Sequence, residues 1–266
     1  MLASVDSRIS EERIAGHRVL VIDETPSTNA TALELLARGA LLPGDAVLAT
    51  RQTAGRGRRG RSWITVPGRS LAVSVLVDPP ALPRPATLGL LAAVATCRAL
   101  ERRGAPALQI KWPNDIMRGE AKVGGLLLEQ PSFGGGIVVG VGVNLTLRPG
   151  DLPEALGRTA GDVGLPVDEA ARRELLGVLL DELDRALSAC RAPSGADWGA
   201  EYRRRAWLPG RRVELLHAGR TLSAVVTDVS TEGDLILQDG TRLLGEHVEL
   251  LRVARARSPG GAADAR

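Results

Sequence analysis

Two side-chain ammonium groups stand out in a chain whose other cations are guanidinium groups. The sequence holds 34 Lys and Arg residues, of which only Lys111 and Lys122 are lysines. Lysine is a compact point charge on a flexible stem and arginine a planar fork, so the two are not interchangeable at a tight site. A lysine that persists in an arginine-biased chain marks a place where an ammonium is needed. Both lie in unusual segments. Lys111-Trp112-Pro113-Asn114-Asp115-Ile116 sets a cation, an aromatic, a strand-ending proline and two short polar residues in succession, where a turn needs only the Asn-Asp pair. Lys122-Val123-Gly124-Gly125-Leu126-Leu127-Leu128-Glu129 puts an ammonium at a strand start beside two glycines. A third segment, Gln52-Thr53-Ala54-Gly55-Arg56-Gly57-Arg58-Arg59-Gly60-Arg61-Ser62-Trp63, alternates glycine with arginine. Glycine lets a ligand approach the backbone and arginine supplies fixed cations, a combination suited to phosphate or carboxylate. Gly140-Val141-Gly142-Val143-Asn144 reads as a glycine-weakened strand, and Ser27-Thr28-Asn29 as a helix start whose N–H groups can also meet an acceptor.

Other chemistries fit less well. The arginine loop contains the spacing G-x-G-x-x-G, but a dinucleotide-binding turn opens a helix and is followed about twenty residues later by an acid. Here Ile64 to Pro67 breaks away irregularly and the position in question falls near Asp78, beside a proline cluster. A single-stranded RNA contact usually interleaves several aromatics, and this loop has Trp63 alone. His17, His217 and His247 are scattered, and Cys97 and Cys190 lie far apart, which argues against a metal cluster, a Ser–His or Cys–His pair and a disulfide framework. Two isolated cysteines suit a reducing cytoplasm.

The elements that must carry these groups alternate. Arg18 to Ile22 predicts a strand, Ser27 to Arg38 a helix closed by Gly39, and Asp45 to Thr50 a strand leading into the arginine loop. Leu71 to Val77 is a strand ended by prolines, Thr87 to Arg103 an apolar helix, and Leu108 to Lys111 a short strand. Val123 to Glu129 and Ile137 to Asn144 form a hairpin across Phe133-Gly134-Gly135-Gly136, and Asp168 to Cys190 is a helix with a leucine face. Beyond Trp207, Val213–Leu216, Leu222–Val229, Leu235–Leu237 and Arg242–Leu244 predict a small barrel. The expected division is a flexible, frayed or briefly helical start over 1–16, a main domain over 17–205, a small domain over 206–253 and a disordered tail over 254–266. A net charge of +3 is too mild to imply nucleic-acid binding. No apolar run reaches membrane-spanning length, and the first twenty residues lack a signal-peptide core.

These five segments, in this order and spacing, resemble those of the bacterial biotin–protein ligases, over roughly residues 20 to 250. The resemblance implies an α/β (α+β) fold: a central mixed sheet flanked by helices, like that of class II aminoacyl-tRNA synthetases, followed by an SH3-like barrel. It also implies an ATP-dependent ligase that makes biotinyl-5′-AMP and passes biotin to a lysine of a biotin carboxyl carrier domain of acetyl-CoA or related carboxylases. ATP, Mg²⁺ and biotin are the implied cofactors and substrates. By matched position, Ser27, Thr28 and Gln52 are expected on the biotin ureido head, with Asn29 beside them. Arg56, Gly57 and Arg58 belong to a loop closing over biotin and adenylate, with Arg58 facing phosphate. Lys122 sits by the biotin carboxylate and α-phosphate, and Lys111 faces the ATP phosphates. Trp63 stacks on adenine, and Asn114 and Asp115 line the nucleotide side. Metal ligands and oligomeric state stay open. Many relatives carry an N-terminal helix-turn-helix; with about twenty residues before the first matching strand, this chain is expected to lack that arm and to bind neither DNA nor membrane. Gly124 stands where relatives commonly have alanine, which loosens the strand without blocking the chemistry.

Overall fold

The structure, a computed structural model, describes residues 9–78, 85–132, 134–157, 159–191 and 198–254. It divides into two units, Met1–Trp207 and Leu208–Arg266. In the first, β1 (Ile9–Ile14), β2 (His17–Thr25), α1 (Thr28–Ala37), β3 (Ala46–Gln52), β4 (Ser70–Val77), α2 (Pro85–Arg102), β5 (Gln109–Lys111), β6 (Asp115–Arg118), β7 (Ala121–Glu129), β8 (Ile137–Asn144), α3 (Glu154–Gly157), α4 (Glu169–Arg191) and α5 (Trp198–Arg205) follow in order. Eight strands make one sheet, β1-β2-β3-β4-β8-β7-β6-β5. The β2/β3 pair, joined through α1, is parallel and the other pairs antiparallel, so the sheet is mixed, as expected.

Helix α1 covers one face of the sheet. Ala32 and Leu35 pack with Leu20, Ile22, Val47, Leu76 and Val138. On the other face lies α2, with Gly89 close to Leu128 of β7. Strand β4 is buried along its whole length, which explains its near-continuous apolar run.

The polar start of the chain departs from expectation. Residues 9–14 are a strand rather than a frayed or helical segment, because Ala15 (φ 49°) and Gly16 (φ 84°) close a two-residue turn that returns onto β2 with Ile14 opposite His17. Residues 1–8 lie outside the described residues, as do Phe133 and 255–266, the greater part of the expected tail. Strand β6 begins directly after Asn114, where the sequence predicts only a turn. Helix α5 is a further addition.

The second unit is a five-stranded antiparallel sheet of β9 (Arg212–His217), β10 (Arg220–Val229), β11 (Leu235–Leu237), β12 (Arg242–Leu243) and β13 (Val248–Val253), ordered β12-β11-β10-β9-β13. The sequence reading did not separate β13. No described helix is long and apolar enough to cross a membrane.

Candidate active site

The strand register lays out a floor. Directly opposed residues share a face of a sheet. Lys111 opposes Asp115, Asp115 opposes Gly125, Gly125 opposes Gly142, and Gly142 opposes Ala72, which opposes Ala49. One transverse row therefore carries a cation and an acid at its β5 end and side chains no larger than alanine beyond them. The adjacent row on the same face runs Leu127, Gly140, Ser74, Val47. The glycines of β8 thus open a trough on the α1 side of the sheet. Two side chains use it. A Cβ on Gly142 would lie 2.6 Å from Trp63 Cε2, and a Cβ on Gly140 would lie 2.2 Å from Asn29 Oδ1.

Lys122 reaches this face through an irregularity. Simple alternation along β7 puts Lys122 with Gly124, on the side away from Gly125 and Asp115. The register with β6 shifts, so that Ile116 opposes Gly124 while Met117 opposes Lys122. The extra residue, Val123, is a bulge of the kind that re-aims a side chain. Lys122 Nζ consequently lies 2.5 Å from Asp115 Oδ1 and 5.8 Å from the centre of the Trp63 ring.

A buried polar corner adjoins the trough at the start of α1. Ser27 occupies the N-cap position, but its side chain makes no capping bond. The Thr28 N–H instead donates to Gln52 Oε1 (2.8 Å), as does the Thr28 hydroxyl (3.2 Å), and Gln52 Nε2 donates to Thr65 Oγ1 (3.0 Å). Ser74 Oγ lies 2.7 Å from Thr28 Oγ1 and 2.6 Å from Asn29 Oδ1. Asn29 Nδ2 donates to the Leu127 carbonyl (3.1 Å) and to Glu129 Oε2 (2.7 Å), and Glu129 also pairs with Arg56 at 3.1 Å. Ser74 is fully buried; replacing it with alanine deprives Asn29 Oδ1 of its donor, a loss of about 1–3 kcal/mol. A lowered denaturant midpoint at unchanged slope checks this, and an unshifted midpoint refutes it.

The arginine loop folds back on itself. Gly57 N–H donates to the Arg61 carbonyl (2.7 Å), Trp63 N–H to Gly55 (2.8 Å), and Arg59 (φ 57°) with Gly60 (φ 71°) makes the reversal. A Cβ on Gly55 would lie 2.4 Å from the Trp63 carbonyl oxygen, so the two arms meet too closely for any other residue there. Burial, then the neighbouring charge of Arg59, lowers the proton affinity of Arg58, with Asp115 opposing and Arg61 reinforcing the shift. Burial also lowers that of Lys111, against the pull of Asp115 and with the push of Lys122 and Arg61. Arg58 and Lys111 thus both feel Arg61 as a repelling charge and Asp115 as an attracting one, and Lys111 also feels Lys122 and, on the attracting side, Glu120. Half-buried like charges that raise each other's cost are relieved by an anion.

The site residues from all five segments thus line one sheet face or the loop beside it. Asn114 is a brace: its Nδ2 donates to the Leu126 carbonyl (2.6 Å) and its own carbonyl accepts from Leu126 N–H (2.9 Å). Asn144 Nδ2 donates to Gly161 (2.9 Å), while its buried Oδ1, like Trp63 Nε1, has no hydrogen-bond partner among the described residues. Ser74, Thr65 and the role of Glu129 escaped the sequence reading. Ser74 had a signal, as a hydroxyl set in the middle of the apolar run Leu71–Val77 of β4. Cys97 is no candidate nucleophile, because burial pushes its thiol up to about 12.

Comparison with known proteins agrees with this arrangement. Residues 21–144 match the Biotin/lipoate A/B protein ligase family. The chain is 34% identical over 235 residues to a biotin–[acetyl-CoA-carboxylase] ligase of Mycobacterium tuberculosis, across 84% of each chain. It is 35% identical over 224 residues to the enzyme of that name from Paracoccus denitrificans, covering 79% of this chain and 85% of that one. The biotin protein ligase of Aquifex aeolicus, solved in complex with biotin and ATP, superposes with a TM-score of 0.75 at 26% identity, over 88% of this chain and 98% of its own. With its relatives aligned well beyond the catalytic core and its fold shared over nearly the whole of a solved ligase, the chain belongs to the family of biotin–protein ligases.

Proposed function

We propose that this chain activates biotin with ATP, giving biotinyl-5′-AMP and pyrophosphate, and then transfers biotin to a lysine of a biotin carboxyl carrier domain with release of AMP. The observation that carries the reading is the cluster of Arg58, Lys111 and Lys122 about Asp115, beside a small-residue trough and a buried polar corner.

In the first step a carboxylate oxygen of biotin bonds to the α-phosphorus and the bond to pyrophosphate breaks. Two anions must meet, so catalysis is chiefly positioning and charge. The Ser27–Thr28–Gln52 corner binds the ureido head, with Asn29 fixed beside it. Lys122 lies where the biotin carboxylate and α-phosphate come together, and Arg58 faces phosphate. Lys111 takes the remaining phosphates, and Trp63, Asn114 and Asp115 frame the nucleotide. Magnesium would neutralise triphosphate charge. Among the described residues no three His, Cys, Asp or Glu side chains converge, and Asp115 is already bound by Lys122. That donor set fits an ion held mainly by substrate phosphates and water, with Asp115 the one available carboxylate of the row. In the second step the amine comes from the acceptor, so the chain needs no nucleophile of its own. A cytoplasmic setting goes with this reading.

Incubation with ATP, Mg²⁺, biotin and a carrier domain, followed by intact mass, tests the proposal; the expected result is one biotinyl addition to the carrier. Labelled lipoate in place of biotin separates the related activity, and preferential use of lipoate would overturn the assignment. The adenylate is hydrolysable and must be shielded from water. Gly55 to Trp63 is accordingly expected to lose protease sensitivity when biotin and ATP are added, and equal cleavage with and without them would remove the shielding role.

A further inference from the structure

Both lysines of this chain place their ammonium groups over tryptophan rings: Lys122 Nζ lies 5.8 Å from the centre of Trp63, and Lys111 Nζ lies 5.2 Å from the centre of Trp207. The first pairing lies within the segments already assigned. The second brings in a residue from the end of the first unit that none of those segments contains. We infer that Trp207 is a positioning residue for Lys111, holding its ammonium by the face of the indole so that its charge stays available to the triphosphate. The inference rests on the reading of Lys111 as a phosphate-facing group.

Three observations support it. First, Trp207 is itself fixed. It is 5% exposed, its N–H donates to the Ile110 carbonyl (2.9 Å), and its Nε1–H donates to the Gly119 carbonyl (2.8 Å). The Trp207 backbone is therefore tied to the residue before Lys111 and its ring to the turn after β6. Second, the platform behind it is braced by charge. Arg205, two residues earlier, donates to Glu101 of α2 at 2.6 and 2.8 Å, to Glu201 at 3.0 Å and to the Leu108 carbonyl at 3.2 Å. Third, the choice of partner suits the task. A carboxylate would hold Lys111 equally firmly but cancel its charge, as Asp115 does in part for Lys122. An aromatic face attracts a cation through its quadrupole and carries no net charge. Among the described residues no ion pair to Lys111 within 4.0 Å is found, so the indole fixes the ammonium and leaves it to meet an incoming anion.

The test is a double-mutant cycle read by binding. The Kd of α,β-methylene ATP is measured calorimetrically with biotin saturating, and the Kd of biotin is measured alone. Trp207→Leu keeps apolar bulk and loses the face. It is expected to weaken the nucleotide analogue about fivefold, equivalent to roughly 1 kcal/mol, with biotin affinity held within about twofold. Trp207→Phe, which retains a weaker face, should fall between wild type and Trp207→Leu. In a Lys111→Ala background Trp207→Leu should add nothing. An effect of Trp207→Leu that persists undiminished without Lys111, or that shifts biotin and nucleotide alike, overturns the inference while leaving Lys111 in place. A Lys111→Ala protein that binds the analogue as tightly as wild type overturns the reading of Lys111 and the inference with it. Should Trp207→Leu fail to fold, the same cycle with Trp207→Phe decides the matter: a loss of at least twofold, abolished without Lys111, supports it, and a loss unaltered by Lys111→Ala overturns it.

Discussion

Lys122→Arg will lower biotin-dependent exchange of pyrophosphate into ATP at least about tenfold, or roughly 1.4 kcal/mol of transition-state stabilisation. The formal charge is conserved, so the field at a distance is unchanged and only local geometry differs. Lys122 passes over Gly125, where its Cε would lie 3.4 Å from an added Cβ, and ends 2.5 Å from a single oxygen of Asp115. A three-donor ammonium so held keeps protons for a second anion and can follow charge as it moves from carboxylate to phosphate. A guanidinium prefers to present two parallel donors to one carboxylate, which would lock it to Asp115 and carry its plane toward Trp63. Lys122→Ala removes the charge altogether and should cost on the order of 10²–10³, the range for deleting a donor to developing negative charge. A folded Lys122→Arg protein with wild-type exchange would refute the argument for an ammonium.

Gly140→Ala is expected to be the most damaging single-methyl change in the site. The new Cβ would fall 2.2 Å from Asn29 Oδ1 and 2.9 Å from its Cγ. Asn29 cannot simply retreat, because it is 3% exposed and bonded to Leu127, Glu129 and Ser74. Overpacking costs about 1–3 kcal/mol, and displacing Asn29 also breaks its bond to a charged carboxylate, worth about 1.5–3 kcal/mol. A total near 3 kcal/mol corresponds to a fall in melting temperature on the order of 10 °C for a unit of this size. Biotin affinity should fall with it, since Thr28 and Asn29 share Ser74. A melting temperature within about 2 °C of wild type would show that the trough has more room than the geometry allows. Gly124→Ala makes a useful contrast, because its Cβ would meet the Gly142 carbonyl oxygen at 2.9 Å, a backbone atom, so that alanine there requires β7 and β8 to shift relative to each other.

These two positions also show what a sequence can and cannot disclose. The chemistry was legible because each motif is contiguous and its residue types are improbable together: two ammonium groups in an arginine-rich chain, and glycines inside an apolar strand. The order of elements was legible from apolar periodicity, turn residues and prolines. The orientation of Lys122 was not. A period of two assigns it to the wrong face, and only the pairing of β6 with β7 shows that Val123 is surplus. Ser74, Trp207 and Glu129 act across distances of 45 to 100 residues, a kind of partnership that leaves no local pattern. Strand β1 was missed because its stability resides in a turn whose first residue, Ala15, is an uncommon choice for positive φ.

The placement of the two lysines has a consequence for the protein's own safety. A mixed anhydride of biotin and AMP acylates whatever unprotonated primary amine it meets. In this chain the only side-chain amines are Lys111 and Lys122, one against an indole and the other against a carboxylate, and guanidinium groups, which stay protonated, take the cationic positions elsewhere. Outside the site itself the chain therefore offers the reagent no lysine to tag. Self-acylation is in this way confined to two side chains, each with its ammonium against an indole or a carboxylate.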